Sequence, residues 1–226
     1  MAKLAKNDFK TKYAGSYLGI VWAFIQPVIT ILVYWFVFSV GFRSGTGDLG
    51  VPFVLYLVAG IVPWFFFQDA LIGGTNSLLE YNYLVKKVVF NISVLPVVKI
   101  ISAMFVHAFF VLFTIVLYAA YGKFPDLYYL QIIYYSGCVF MLVLGLSYAT
   151  SAIVIFFRDL TQIINIVLQV GVWLTPIMWI VENTPLVGNP VIMKILKLNP
   201  MYYIVSGYRD NFLIKNWFWE QAGWSI

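Results

Sequence analysis

The sequence predicts an all-α integral membrane protein, a polytopic helical bundle, and three observations lead to this prediction. Hydrophobic residues make up 62% of the 226 residues and charged residues only 10%, whereas soluble globular chains run near 45–50% apolar and about 25% charged. The mean hydropathy is +0.90. The few charges cluster between long apolar stretches, as in a chain that crosses a bilayer repeatedly.

The same observations exclude several other classes of protein. The single cysteine, Cys138, rules out a disulfide scaffold. The net charge of +5 is carried by loops and ends, without the basic face that nucleic-acid binding needs. The apolar stretches are continuous rather than alternating over ten-residue segments, which excludes a transmembrane β-barrel.

Five spans are visible along the chain. They cover approximately residues 19–41, 51–72, 93–121 and 128–157, and a fifth begins after the turn at 158–162 and ends near 181. The first is uncharged and at 1.5 Å per residue reaches about 34 Å, more than the roughly 30 Å of a bilayer core. A polar stretch at 73–91 follows the second span.

We predict a single transmembrane domain over residues 1–226, with an interfacial helix at 1–18, five spans at 19–181 and an external region at 182–226. The external region mixes Pro185, Pro190 and Pro200 with apolar pieces too short to cross a bilayer. Such pieces are typical of re-entrant or interfacial helices.

The first eighteen residues are predicted to form an amphipathic helix that lies in the headgroup region, and not a cleaved signal peptide. One helical face carries Ala5, Phe9 and Tyr13, and another carries Lys3, Lys6 and Lys10. An ordinary solvated start is the alternative.

Positive charges in the short loops predict a cytoplasmic N-terminus, hence a multi-pass protein of the bacterial cytoplasmic (plasma) membrane. With that orientation the inner side holds Lys3, Lys6, Lys10, Lys12, Lys86, Lys87 and Arg158, and the outer loops hold Arg43 and Lys123. Lys99, about two turns into the third span, is placed to snorkel to the inner boundary.

Motifs for catalysis are absent from the sequence. There is no G-x-x-x-x-G-K-[ST] phosphate-binding loop and no Cys/His cluster with metal-ligand spacing. The lone histidine, His107, reads as a hydrogen-bonded packing residue. Asp69 lies near an inner boundary, which argues against an ion-coupled cycle. We therefore expect a chain that is not an enzyme and binds no cofactor or metal.

Two polar and aromatic stripes interrupt otherwise apolar spans. The first span carries Trp22, Gln26, Thr30 and Tyr34, and the fifth carries Gln162, Asn165, Gln169 and Trp173. An unpaired amide in an apolar medium costs about 2–7 kcal/mol, so both stripes face other helices or a cavity. Aromatic faces with amides and hydroxyls suit a substrate channel for a hydrated sugar polymer.

Helix-shaping residues lie beside these stripes. Pro27 and Pro176 are expected to bend the first and fifth spans. In the fourth span, Gly145 with Ala149 and Ser147 with Ser151 form small-xxx-small pairs, which indicate close helix packing.

Five strings in sequence order resemble the permease subunit of type 2 ABC exporters for polysaccharides and polyol phosphates. They are YAGSYLGIVWAFIQP from Tyr13, PWFFF from Pro63, LVKKVVFNISVLPVV from Leu84, FFRD from Phe156 and LNPMYYIVSGYRDNFL from Leu198. That group exports O-antigen, capsular polysaccharide and teichoic acid. The resemblance covers nearly the whole chain.

The resemblance implies a homodimer with a channel at its interface, docked on two cytoplasmic ATPase subunits that bind ATP and Mg²⁺, with a lipid-linked glycan as substrate. It implies ATPase coupling by Glu80, Lys86, Lys87, Arg158 and Asp159. It implies an external gate containing Asn199, Pro200, Tyr202, Tyr203, Tyr208, Arg209 and Asp210. Membrane lipid is a further partner, and nucleic acid is not.

Members of this group have a longer N-terminal helix and a sixth span after the YRD-like string, so we expect these 226 residues to be part of a longer protein. The residues alone leave three alternatives: an ABC exporter of drugs or small lipids, a membrane-embedded glycan-modifying enzyme, and a scaffold for a biosynthetic complex. They do not distinguish O-antigen from teichoic acid or capsule.

Overall fold

The computed structural model describes residues 2–42, 50–81, 91–181, 184–185 and 189–218, and in these ranges the chain is helical without a strand. The α-helices are α1 (Ala2–Lys12), α2 (Trp22–Trp35), α3 (Phe53–Glu80), α4 (Val94–Ala120), α5 (Gln131–Val154), α6 (Leu160–Leu174), α7 (Pro190–Lys197) and α8 (Pro200–Arg209). Short 3₁₀ segments precede α2 and α5 (Gly19–Val21, Leu127–Leu130), and π-helical turns follow α2 and α8 (Phe36–Gly41, Asp210–Ile214).

Among the described residues, four helical segments are long and apolar enough to cross a membrane, so the chain is a membrane protein. They are Gly19–Gly41, Phe53–Glu80, Val94–Ala120 and Leu127–Val154, of 23, 28, 27 and 28 residues. Their bounds agree with the first four predicted spans, except at the end of α3. The fifth predicted span contains α6, an apolar helix of 15 residues, whose length of about 22 Å falls short of a bilayer core.

The centre of the bundle is α3, which packs against α4, α5, α6 and α8. Of its most apolar window, 78% is buried within the chain. Leu55, Leu57, Val58, Ala59 and Ile61 have no exposed surface, so the helix is apolar on all sides in its first half. A helix surrounded by other helices needs no polar face.

The second half of α3 corrects the sequence prediction. The second span was predicted to end at 72 and to be followed by a polar stretch, but the helix continues to Glu80. Its hydroxyls are hydrogen-bonded within the bundle: the Thr75 hydroxyl lies 2.8 Å from that of Thr150 on α5, and the Ser77 hydroxyl donates to the Gly74 carbonyl of α3 itself. Hydroxyls that bond within the bundle do not require a loop.

Proline has different effects in α2 and after α6. Pro27 lies inside α2, and the bend expected there stays a prediction. Pro176, in contrast, does not bend the fifth predicted span, because α6 ends at Leu174 and Thr175 is extended with ψ at 128°. The helical region is sterically disfavoured for the residue before a proline, and here the helix stops ahead of it.

The amphipathic helix α1 packs against α4, and its location in the headgroup region stays a prediction. Ala5 is fully buried, while Lys3, Lys6 and Lys10 are exposed. In α5 only one of the two small-residue pairs is packed: Ser147 and Ser151 are buried, and Gly145 and Ala149 are exposed. Within this chain, the prediction of close packing is therefore wrong for Gly145 and Ala149, since nothing lies within 4 Å of a Cβ built on Gly145.

Two short helices follow the end of α6. Asn189 caps α7 by accepting from the amides of Val191 and Ile192, and Asn199 caps α8 by accepting from the amide of Met201. A proline occupies the first turn of each helix, where its missing N–H has no cost. Whether the two helices are re-entrant, as predicted, stays a prediction.

Candidate functional site

A cavity of about 500 Å³ lies between α2, α3, α4 and α6. Aromatic rings and side-chain amides line much of it. The lining residues include Trp22, Gln26, Thr30 and Tyr34 of α2, Trp64, Phe66, Gln68 and Asp69 of α3, His107 and Phe110 of α4, and Gln169 and Trp173 of α6. The cavity thus combines apolar ring faces with hydrogen-bonding groups.

The structure brings the two predicted stripes together at this cavity. All four stripe residues of α2 line it, and from α6 so do Gln169 and Trp173. Tyr34 and Trp173 meet edge to face with ring centroids 6.4 Å apart. Gln162 and Asn165 lie on the first turns of α6 and are not among the lining residues. Gln26 and Gln169 are exposed, so they do not hold the helices of one chain together.

Trp64 is a cavity residue that the stripe analysis missed. Its side chain is 3% exposed, and its indole Nε1–H has no hydrogen-bond partner among the described residues. A buried donor without an acceptor costs about 1–3 kcal/mol. The residue lies in the PWFFF string, but only the folded chain places it opposite α6, where its ring would contact a Cβ added to Gly171.

An ion pair lies at the end of the cavity nearest α1. Lys12 Nζ lies 2.5 Å from Asp69 Oδ1, and both side chains are more than one third exposed. Burial alone would lower the pKa of the Lys12 ammonium, but the neighbouring Asp69 carboxylate outweighs burial and raises the pKa above 10.5. The ammonium therefore stays charged and continues to bind Asp69 at neutral pH.

A second group of charges fastens α1 to the bundle. Lys99 Nζ lies 2.8 Å from Asp8 Oδ1 and 2.5 Å from Glu80 Oε2, and the Tyr81 hydroxyl donates to Asp8. Burial and this hydrogen bond to Asp8 raise the pKa of the Tyr81 phenol. The ammonium of Lys99 thus reaches the level of α1, the arrangement expected of a lysine that snorkels to a membrane boundary.

The predicted coupling residues that the structure describes lie at the end of the bundle nearest α1. Glu80 ends α3, and the exposed Arg158 and Asp159 form the turn before α6. This turn is held next to α3 because the Thr161 hydroxyl donates to Asn76 Oδ1 at 2.8 Å. Lys86 and Lys87 lie outside the described residues.

The predicted gate residues are grouped around α8. Asn199 and Pro200 begin the helix, and the Asn199 amide donates to the Thr175 hydroxyl at 2.8 Å. Tyr202 is half-buried, and the hydroxyl of Tyr203 lies 3.3 Å from that of Tyr134. Asp210 begins the π-helical turn.

Tyr208 connects α8 to the wall of the cavity. Its buried hydroxyl lies 3.0 Å from His107 Nε2 and 2.5 Å from Ser136 Oγ. His107 is therefore the hydrogen-bonded packing residue that the sequence predicts, and it also lines the cavity.

Arg209 joins α8 to the chain that follows α6 and to the beginning of α3. Its guanidinium donates to the carbonyls of Pro176 and Ile177 at 2.5 Å each and lies 3.7 Å above the Tyr56 ring. Backbone carbonyls freed by the break after Leu174 would otherwise be buried without donors. Arg209 thus supports the position of α8, a role that its place in the YRD string does not reveal.

The described residues contain no group of three or more His, Cys, Asp or Glu side chains placed to hold a metal ion. An all-helical membrane bundle with an aromatic and polar cavity, and a charged cluster at one end, is the architecture of a membrane transporter subunit.

Comparison with known proteins identifies the family. Residues 2–213 match the family model of the ABC-2 type transporter, and the chain belongs to this family. It is 27% identical over 212 residues to the O-antigen export system permease protein RfbA of Myxococcus xanthus, an alignment that covers 94% of this chain and 79% of the relative. Two Klebsiella pneumoniae proteins of the same name are 24% and 26% identical, each covering 93% of this chain and 78% of the relative. The resemblance to the permease subunit of a type 2 ABC exporter is confirmed.

Proposed function

We propose that this chain is the channel-forming permease subunit of an ATP-driven exporter that moves a lipid-linked polysaccharide from the cytoplasmic side across the plasma membrane. O-antigen is the first candidate because the relatives are named for its export, and teichoic acid or capsule are the others. The observation that carries the proposal is the cavity lined by stripe residues of α2 and α6.

The chemistry of the cavity suits sugars. Each sugar hydroxyl is costly to remove from water unless it gains a hydrogen bond. The side-chain amides of Gln26 and Gln169 offer both donors and acceptors at the cavity. The rings of Trp22, Tyr34 and Trp173 provide faces against which sugar rings pack. An exporter of drugs or small lipids needs none of these polar groups.

A homodimer would complete the cavity wall. Only 11% of the most apolar window in Gly19–Gly41 is buried within one chain. Trp22 and Trp173 are 42% and 53% exposed although both line the cavity. A second copy against α2 and α6 would enclose the groups that one chain leaves open.

The energy would come from two cytoplasmic ATPase subunits that hold ATP and Mg²⁺. Their contact would lie at the α1 end, through Glu80, Lys86, Lys87, Arg158 and Asp159, with the N-terminus cytoplasmic. The opposite end, with Tyr208 and Arg209 in α8, would act as the external gate. The hydrogen bond between Tyr208 and His107 supports this, because it connects α8 directly to the cavity wall.

The test is the ATPase rate of the full-length permease co-purified with its neighbouring ATPase in lipid nanodiscs, with and without lipid-linked glycan. We expect stable co-purification and stimulation by the glycan, and loss of stimulation in Lys86→Glu/Lys87→Glu. Lys3→Glu/Lys6→Glu, on the exposed face of α1, is the matched charge-reversal control. Failure of any ATPase to co-purify would refute the proposal, and turnover of glycan by the permease without ATP would favour a glycan-modifying enzyme.

A further inference from the structure

The aromatic cavity between α2, α3, α4 and α6 carries a carboxylate on its wall. Asp69 is the only Asp, Glu, Lys or Arg among the described residues that line this cavity. Neutral amides such as those of Gln26 and Gln169 provide much of the remaining polarity. The histidine of the wall, His107, is buried, and its Nε2 already meets the Tyr208 hydroxyl at 3.0 Å. The wall thus presents neutral polar groups and one negative charge.

The cation that pairs with this carboxylate belongs to a different cavity. Lys12 Nζ, 2.5 Å from Asp69 Oδ1, lies on the wall of a smaller cavity of about 420 Å³ between α1, α3 and α4. Asp69 lines both cavities, whereas Lys12 is not among the residues that line the aromatic one. The ion pair therefore turns its negative end towards the aromatic cavity and its positive end towards the smaller one.

The basic residues of the surrounding helices are bound by other groups of the chain. In the described helices α2 to α6 and α8, the only lysine is Lys99 and the only arginine is Arg209. Lys99 is held by Asp8 and Glu80, and Arg209 donates to backbone carbonyls after α6. Neither lines the aromatic cavity. A second copy of the chain, as in the proposed dimer, would contribute the same groups and a second Asp69.

This distribution of charge favours a polymer that is itself uncharged. A phosphate or carboxylate on each repeating unit would lose its water in the cavity, which is unfavourable unless a cation binds it. Paths for anions are lined by arginine and lysine for this reason. The Asp69 carboxylate would add repulsion. Sugar hydroxyls, in contrast, bond equally well to neutral amides.

We propose that the exporter selects polymers whose repeating units carry no negative charge, and that Asp69 is a specificity-determining residue that disfavours polyol phosphates and acidic capsular polysaccharides. The inference rests on the proposed function, because it concerns what enters the same cavity. It narrows the candidate cargo to polysaccharides with neutral repeating units.

The test compares two lipid-linked probes of equal length, a mannan with an acetyl group on every second sugar and the same mannan with sulfate groups at those positions. Both carry a substituent at the same sites, but only sulfate is charged. The full-length permease and its ATPase partner are placed in proteoliposomes with the ATPase outside, and ATP-dependent uptake of each probe is measured. Asp69→Asn is compared with Asp126→Asn, a matched removal of one carboxylate from the loop between α4 and α5, where Asp126 pairs with Lys215.

We expect the unsubstituted exporter to take up the acetylated mannan at least about ten-fold faster than the sulfated one, because like charges brought together in a site strongly disfavour the wrong ligand. Asp69→Asn removes the carboxylate and leaves the Lys12 ammonium free to attract sulfate, so the preference should largely disappear while uptake of the acetylated mannan continues. Asp126→Asn should keep the full preference.

Equal uptake of the two probes by the unsubstituted exporter, or faster uptake of the sulfated one, would overturn the inference and leave the proposed function standing. Uptake of neither probe would contradict both. An unchanged preference in Asp69→Asn, or an equal change in Asp126→Asn, would overturn the role of Asp69. Loss of acetylated mannan uptake in Asp69→Asn would overturn that role as well, because the residue would then be needed for transport and not for selection.

Discussion

Helices α2 and α3 both have the composition of membrane spans, yet they differ in how much of their surface the rest of the chain buries. In its most apolar window α3 is 78% buried, whereas the span containing α2 is 11% buried. The polar groups of α3 are paired within the chain, as in the contact between Thr75 and Thr150, while Gln26 of α2 is exposed at the cavity. The comparison distinguishes a packed region around α3, which stabilises the fold, from a region around α2, whose polar surface this chain leaves uncovered.

The largest expected effect concerns the packed region. Arg209→Ala removes two short hydrogen bonds to the carbonyls of Pro176 and Ile177. Because hydrogen bonds to a charged group contribute about 1.5–3 kcal/mol each, we expect a loss of about 3–6 kcal/mol of stability. Thermal unfolding in nanodiscs, followed by loss of the monodisperse peak, measures it. Arg209→Lys should retain part of the stability, and an unchanged midpoint in Arg209→Ala would contradict the role of this residue.

A smaller effect tests the close approach of α3 and α5. A Cβ on Gly74 would collide with the Ser147 side chain, so Gly74→Ala should cost about 1–3 kcal/mol, the usual range for overpacking. Gly145→Ala, in open space on the same pair of helices, is the control and should not lower the unfolding midpoint. A glycine inside α5 itself costs about 0.5–1 kcal/mol, so the cost of Gly74→Ala should also be measured in a Ser147→Gly background, where it should largely disappear. An equal cost in the two backgrounds would show that the collision is not the cause.

The smallest effect concerns the Lys12–Asp69 pair beside the cavity. Both groups are partly exposed, so a double-mutant cycle of Lys12→Gln and Asp69→Asn should give a coupling of about 0.2–1 kcal/mol. The pKa of Lys12 is raised, so its contribution is complete below the unfolded pKa of about 10.4 and is lost only as pH rises through the folded value. The coupling should therefore be equal at about pH 7 and pH 9. A coupling that disappears by pH 9 would contradict this.

The sequence predicts the long helices well because each is a continuous apolar stretch bounded by charges or turns. It places the end of α3 too early, since Thr75 and Ser77 resemble loop residues until Thr150 and the Gly74 carbonyl are in position to bond them. It also continues the fifth predicted span to 181, whereas α6 ends at Leu174. Hydropathy takes no account of the restriction that Pro176 imposes on Thr175.

The stripes identified the cavity residues of α2 because a four-residue period fixes one helical face. The same rule fails at the beginning of α6, where Gln162 and Asn165 share the period but lie beyond the cavity. The orphan N–H of Trp64 and the carbonyls bound by Arg209 depend on contacts between distant helices, which no local pattern contains.

The measurement that tests the central claim most directly compares stripe residues that line the cavity with stripe residues that do not. Surface glycan would be quantified in cells that express the full-length permease with Gln26→Leu/Gln169→Leu, which changes amides at the cavity, or with Gln162→Leu/Asn165→Leu, which changes amides outside it. Both variants must be present in the membrane at equal levels. A polar glycan path predicts loss of export in the first variant and normal export in the second. Equal export by the two variants would contradict it.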